Sequence, residues 1–113
     1  MRKSEVELLI EEFQEKEKYF RDYLKYAKMI KKEAENLLGK VKVFVFGSIL
    51  RKGEVPQDID ILIISSKLKT LNKKSEILKK IREKFSTPFE FHLITPKEYR
   101  EWYHHFIEEK IEI

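Results

Sequence analysis

The chain has 113 residues, 42% apolar and 39% charged, enough for one compact domain with a modest core. Lys and Arg number 24 against 20 Asp and Glu, a net charge of +4 that suits an anionic substrate without demanding nucleic acid, since the charges are mixed along the chain. Cysteine is absent, which excludes a disulfide framework and thiolate metal sites; no signal peptide or membrane span is read, and the expected compartment is the cytoplasm.

Residues 4–38 read as helix. Ser4 and Glu7 form a capping box at its start, and Gly39 is the C-terminal stop. Val6, Leu9, Phe13, Phe20, Tyr23, Ala27, Ile30, Ala34 and Leu37 follow a three-four alternation, broken once by Lys16. A straight helix of this length would run about 50 Å, against about 35 Å for a domain of this size. The helix therefore either projects or breaks, and the expected break is in Glu15-Lys16-Glu17-Lys18. The expected organisation is an N-terminal helical segment, residues 1–38, on a core of residues 39–113.

The apolar runs Lys40 to Phe46 and Asp58 to Ser65 read as two strands, with a turn region at Gly53-Glu54-Val55-Pro56-Gln57 between them. Leu71 to Phe85 has helical spacing. Thr87-Pro88 ends it, and Phe89 to Ile94 is a third strand. Thr95 caps a last helix, with Pro96 at its first position and Glu98 closing a capping box. The fold class expected is α/β, a small mixed sheet with helices on one side.

Gly47-Ser48 ends the first strand and Asp58-Ile59-Asp60 opens the second. Side chains alternate along a strand, so Asp58 and Asp60 share a face about 6 to 7 Å apart at the backbone. Paired carboxylates suit Mg²⁺, which takes oxygen ligands together with substrate phosphates. Gly47 permits a sharp turn and close backbone approach to a phosphate. Ser48 adds a hydroxyl donor, and Arg51 and Lys52 add positive charge nearby. A short helix from Ile49 to Lys52 would turn amide groups to the same anion. Glu90 is an acid in an otherwise apolar strand. If that strand lies beside the second, Glu90 joins the aspartates and His92 shares their face. Three carboxylates suit two-metal phosphoryl chemistry.

These residues resemble the signature of the DNA polymerase beta-like nucleotidyltransferase superfamily, and the chain's size and ending resemble its smallest branch, the minimal nucleotidyltransferases. The resemblance covers about residues 40–100. Arg51 matches the family's arginine, and Glu90 stands where a later aspartate is expected. Gln57 replaces a usual serine, Lys52 a common glycine, and the spacer between the two motif parts is one residue shorter than is common.

The resemblance implies transfer of a nucleoside monophosphate, AMP from ATP or another nucleoside triphosphate, to an acceptor hydroxyl. It implies two Mg²⁺ ions held by Asp58, Asp60 and Glu90 as the catalytic carboxylates, with Gly47, Ser48, Arg51 and Lys52 binding the nucleotide. It also implies a partner, the all-helical HEPN ribonuclease of a toxin-antitoxin pair, for which the N-terminal segment is the candidate docking element. The rivals are a non-catalytic neutralising partner and an RNA-end nucleotidyltransferase. A homo-oligomer is compatible with the sequence, and direct nucleic-acid binding is left open. Each motif has a plainer reading. Asp58 and Asp60 at a strand end, Glu90 on an edge strand, and Arg51 and Lys52 in a loop are all ordinary solvated charges elsewhere. His92 reads as structural, and the neighbouring His104 and His105 point to different helix faces, which argues against a metal there.

Overall fold

The computed structural model describes residues 2–113, and its core rests on how two helices and a strand pair divide the apolar residues. Helix α1 (Glu5–Arg21) starts at Ser4, whose hydroxyl accepts from the Glu7 amide at 3.1 Å. None of its side chains is buried. Helix α2 (Tyr23–Leu38) buries Ala27, Ile30, Ala34 and Leu38, and stops at Gly39, whose φ of 76° and amide bond to the Glu35 carbonyl close the last turn.

The N-terminal helix breaks, but at Asp22 and not in Glu15–Lys18. Lys and Glu are good helix formers, and Lys18 pairs with Glu15 at 2.8 Å one turn back, so that stretch stays helical. Asp22 departs from helical geometry, with φ −108° and ψ 31°. Its amide still donates to Lys18 O at 3.0 Å, and its carbonyl accepts from Lys25 at 3.0 Å. Tyr19 and Phe20 before the break, and Tyr23 and Tyr26 after it, pack on the core. The rest of α1 extends away, and the molecule measures 51 × 31 × 22 Å.

Strands β1 (Lys42–Phe46), β2 (Ile59–Ile64), β3 (Phe89–Ile94) and β4 (Lys110–Glu112) form one sheet in the order β3-β2-β1-β4. β1 runs antiparallel to β2 and to β4, while β2 and β3 are parallel. A parallel pair needs a crossover, and α3 (Leu71–Lys84) supplies it, capped by the Thr70 hydroxyl. β1 and β2 are shorter than the sequence suggests, so Asp58 stands just before β2. β4 was not expected from the sequence. Its residues are exposed, and it is held as an edge strand by β1 and by the Ile113 amide on the Val43 carbonyl at 2.9 Å.

The sheet is covered on both faces, which corrects the expectation of helices on one side. Val43, Val45, Ile59, Ile61, Ile63, Phe89, Phe91 and Leu93 pack against α2 and α3. Phe44, Leu62, Ile64 and Ile94 pack beneath Tyr99, Tyr103 and Ile107 of the C-terminal segment. This is why β2 is apolar nearly throughout: a central strand buried on both faces has no solvent side. Among the described residues no helix is long and apolar enough to cross a membrane.

The C-terminal segment is helical but not uniform. An α-turn at Pro96–Glu98 passes into a π-turn at Tyr99–Tyr103 and a final α-turn at His104–Phe106. Its start is the capping box read from the sequence: the Thr95 hydroxyl accepts from the Glu98 amide at 3.2 Å, and the Glu98 carboxylate accepts from the Thr95 amide at 3.0 Å. Lys74 of α3 reaches both Glu98 oxygens at 2.9 Å. Partial burial pushes the Glu98 carboxyl up, but the Lys74 ammonium and the Thr95 donors outweigh it and hold the group below the usual carboxylate range.

A depressed carboxyl pKa adds stability above its unfolded value, and that stability is lost as pH falls through the folded value. The stability difference between wild type and Glu98→Gln is therefore expected to be constant above pH 4.5 and to shrink in more acid solution. Urea unfolding across pH 3 to 7 measures it. Thr95→Ala should cost about 1 kcal/mol at neutral pH in the same assay.

Candidate active site

The second face of the sheet changes character at one end. Along β2 and β3 the paired residues on this face are Ile64 with Ile94, Leu62 with His92, and Asp60 with Glu90. The two apolar positions of β2 lie under the C-terminal segment, and the polar end of the pair stays open. Asp60 is also opposite Phe46, the last residue of β1, so the turn Gly47-Ser48 arrives beside its carboxylate.

Gly47 fits that place because nothing larger can. Its φ of 87° and ψ of −157° belong to a backbone region that is essentially reserved for glycine. A Cβ there would lie 2.3 Å from Asp60 Oδ2 and 3.2 Å from its Cγ. Ser48 follows at the start of a single 3₁₀ turn, Ser48–Leu50, instead of the short helix to Lys52 that the sequence suggests. The amides of Leu50 and Arg51 are used inside that turn, on the carbonyls of Gly47 at 3.1 Å and Ser48 at 3.0 Å.

Oxygen and nitrogen atoms of Asp60, Glu90 and His92 come within 4.8 Å of one another. His92 Nε2 is 3.2 Å from Asp60 Oδ1, and the two side chains are about equally sheltered. Sequence reasoning placed His92 on this face but gave it no contact. The register supplies the contact, since one strand advances by two residues from Glu90 to His92. Asp58 is exposed and lies outside this group of three. Arg51 pairs with Glu54 at 3.7 Å, and Lys52 is exposed. The structure thus gathers Asp60, Glu90 and His92 with Gly47 against Asp60, starts a 3₁₀ turn at Ser48 next in the chain, leaves Asp58 exposed just before β2, and shows Arg51 and Lys52 in the adjoining loop.

The donor set fits a divalent cation. Two carboxylates on adjacent strands face the same opening, and like charges that close repel unless a cation lies between them. Among the described residues no lysine or arginine pairs with Asp58, Asp60 or Glu90, although the chain holds 24 basic residues. Carboxylate oxygens are the ligands Mg²⁺ prefers.

Residues 27–112 match the nucleotidyltransferase domain family. The chain belongs to that family. A crystal structure described as a candidate nucleotidyltransferase is 30% identical, with a TM-score of 0.67, and covers 78% of this chain and 97% of its own. A second candidate nucleotidyltransferase, from Sulfolobus solfataricus, shares the fold at 19% identity and a TM-score of 0.63, covering 84% of this chain and 82% of its own. No curated protein matches the sequence. The family match leaves α1 outside it, whereas most of α2 and all four strands of the nucleotidyltransferase domain fall within it.

The Gly47→Ala variant of this nucleotidyltransferase domain should be destabilised by about 1 to 3 kcal/mol, the cost of forcing a side chain into a glycine-only conformation. It should also displace the Asp60 carboxylate. Chemical denaturation measures the first effect. A loss of Mn²⁺ or Mg²⁺ affinity in the folded variant measures the second.

Proposed function

We propose that this chain is a Mg²⁺-dependent nucleotidyltransferase that transfers AMP from ATP to an acceptor hydroxyl on a partner protein, as the antitoxin of a HEPN toxin-antitoxin pair in the cytoplasm. The observation that carries the chemistry is the in-register pair of carboxylates, Asp60 and Glu90, to which no lysine or arginine is paired among the described residues, beside a glycine turn that admits no side chain.

Asp58, Asp60 and Glu90 would hold two Mg²⁺ ions, which when bound supply positive charge to the triphosphate and lower the pKa of the acceptor hydroxyl. Gly47 keeps the turn low enough for the phosphates to approach Asp60, and the Ser48 hydroxyl donates to a phosphate oxygen. Arg51 and Lys52 add positive charge to the approach. His92 orients Asp60 through Oδ1, leaving Oδ2 towards the turn. Glu90 lies on the more open side and takes the proton of the acceptor hydroxyl. The acceptor oxygen bonds to the α-phosphorus, the bond to the bridging oxygen breaks, and pyrophosphate leaves.

A protein acceptor suits the distribution of apolar surface. Val6, Leu9, Ile10 and Phe13 form an exposed stripe on α1, with i, i+3, i+4, i+7 spacing, and none of the described residues buries it. An amphipathic helix with that spacing is the form that lies in a partner's groove. The second reading, a non-catalytic neutraliser, is favoured by the exposed position of Asp58. It would keep its activity in a toxin-neutralisation test after Asp58→Ala and Asp60→Ala.

Asp60→Asn removes a charge without changing size. It should fold normally and lower transfer by on the order of 100-fold or more, the scale of losing one electrostatic contact at a reacting centre. Full transfer of radiolabelled AMP by this variant would sink the chemistry. Deleting residues 1–14 should weaken partner association far more than ATP binding, read by calorimetry with each ligand. Equal losses would make α1 part of the nucleotide site's support.

A further inference from the structure

The C-terminal segment covers only part of its sheet face. Between it and the end of β1 lies an open cavity of about 450 Å³, lined by Phe46, His92, Trp102, Tyr103, Phe106 and Ile107. Its walls are rings. Phe46 and His92 have centroids 5.0 Å apart, and His92 meets Tyr103 edge to face at 6.1 Å. Trp102 and Phe106 are 62% and 75% exposed. Such rings contribute little to the core, so stability does not explain their place.

Two links join this cavity to the carboxylate site. Phe46 directly precedes Gly47-Ser48, and His92 contacts Asp60 at 3.2 Å. The backbone around Trp102 is also unusual. Tyr99–Tyr103 is a π-turn, a geometry found mostly as single turns and frequently at functional sites. The lining offers flat apolar faces and two polar edges, His92 and Tyr103. That chemistry suits a planar heterocycle, which stacks on aromatic faces and hydrogen-bonds at its rim. A cavity of this size lies within the range of small-ligand pockets.

We propose that this aromatic cavity seats the nucleobase of the nucleotide, and that it prefers a purine for its larger stacking face. The proposal rests on the nucleotidyltransferase reading, with the phosphates at Gly47-Ser48 and the base folded over Phe46 towards Trp102.

Trp102 is the single tryptophan, so the cavity carries its own reporter. The test compares ATP, CTP and inorganic tripolyphosphate, each with Mg²⁺, by tryptophan fluorescence on the wild type and by calorimetry on Trp102→Ala, Trp102→Phe and Phe106→Ala. These side chains are exposed, and thermal unfolding checks that each variant folds. ATP should shift Trp102 emission, CTP less, and tripolyphosphate not at all. ATP affinity should fall about tenfold or more in each alanine variant, be largely kept in Trp102→Phe, and leave tripolyphosphate binding unchanged.

Equal affinity of the wild type for ATP and tripolyphosphate would overturn the base site while leaving the phosphate site standing. So would unchanged ATP binding in both alanine variants, which would return the cavity to a protein side chain. No binding of either ligand by the wild type would overturn the nucleotide reading and the base site together.

Discussion

The parallel register of β2 and β3 is the constraint on which the rest depends. It pairs Asp60 with Glu90 and Leu62 with His92. Side chains alternate faces, so a slip of one residue by either strand would carry its carboxylate to the side filled by α2 and α3. The sequence resists that slip from both faces. Ile59, Ile61 and Ile63 are fully buried on one side and Leu62 on the other, so any shift would bury charge and expose isoleucine. The bond from the Ile59 amide to the Pro88 carbonyl at 2.8 Å fixes the start of the pair, one residue from the site. On the proposed reading, the chemistry is therefore held by the best-buried part of the molecule and not by a loop.

The polar end of that face is a local exception to the pattern that stabilises the sheet. Each apolar position given to Asp60, Glu90 or His92 removes core contact, and the acids add mutual repulsion. Gly47 adds a second local cost, because glycine loses more conformational freedom on folding than any other residue. A sheet without function would place a β-branched residue at each of the three strand positions. That these departures cluster within one patch, with no lysine or arginine paired to the acids among the described residues, favours a site over an ordinary solvated strand end.

Much of this was legible because it depends on short-range pattern. β3 begins and ends where the alternation of Phe89, Phe91 and Leu93 begins and ends, and the Thr95 cap follows from Thr, Pro and Glu at fixed offsets. Gly47, Asp60 and Glu90 stood out as residues that break an apolar run. What was missed depends on contacts between distant segments. β4 carries no apolar run of its own and exists because β1 has a free edge. The side taken by the C-terminal segment is set by Phe44, Leu62 and Ile64, whose facing is fixed only once the sheet forms. The break at Asp22 reflects where Tyr19, Phe20 and Tyr23 meet the core, which helix periodicity alone does not locate. The contact of His92 with Asp60 needs the strand register, and Asp58 at the rim follows from β2 starting one residue later than its apolar run implies.

Two apolar features remain outside the core, and their difference is informative. The stripe on α1 is mainly aliphatic, lies on a convex helix beyond the residues matched by the family, and is largely exposed among the described residues. The second is aromatic, concave and continuous with Asp60 through His92. A convex aliphatic stripe suits burial in another protein's groove, since no small molecule can cover it. A concave set of rings beside two carboxylates receives, on the proposed reading, a planar base, whose phosphates those carboxylates would reach only through bound Mg²⁺. On the proposed reading the two surfaces serve the two sides of one transfer, α1 bringing the acceptor protein and the aromatic wall holding the donor. A small domain has little surface to spare, and this division explains why so many of its large hydrophobic side chains face outward at these two places.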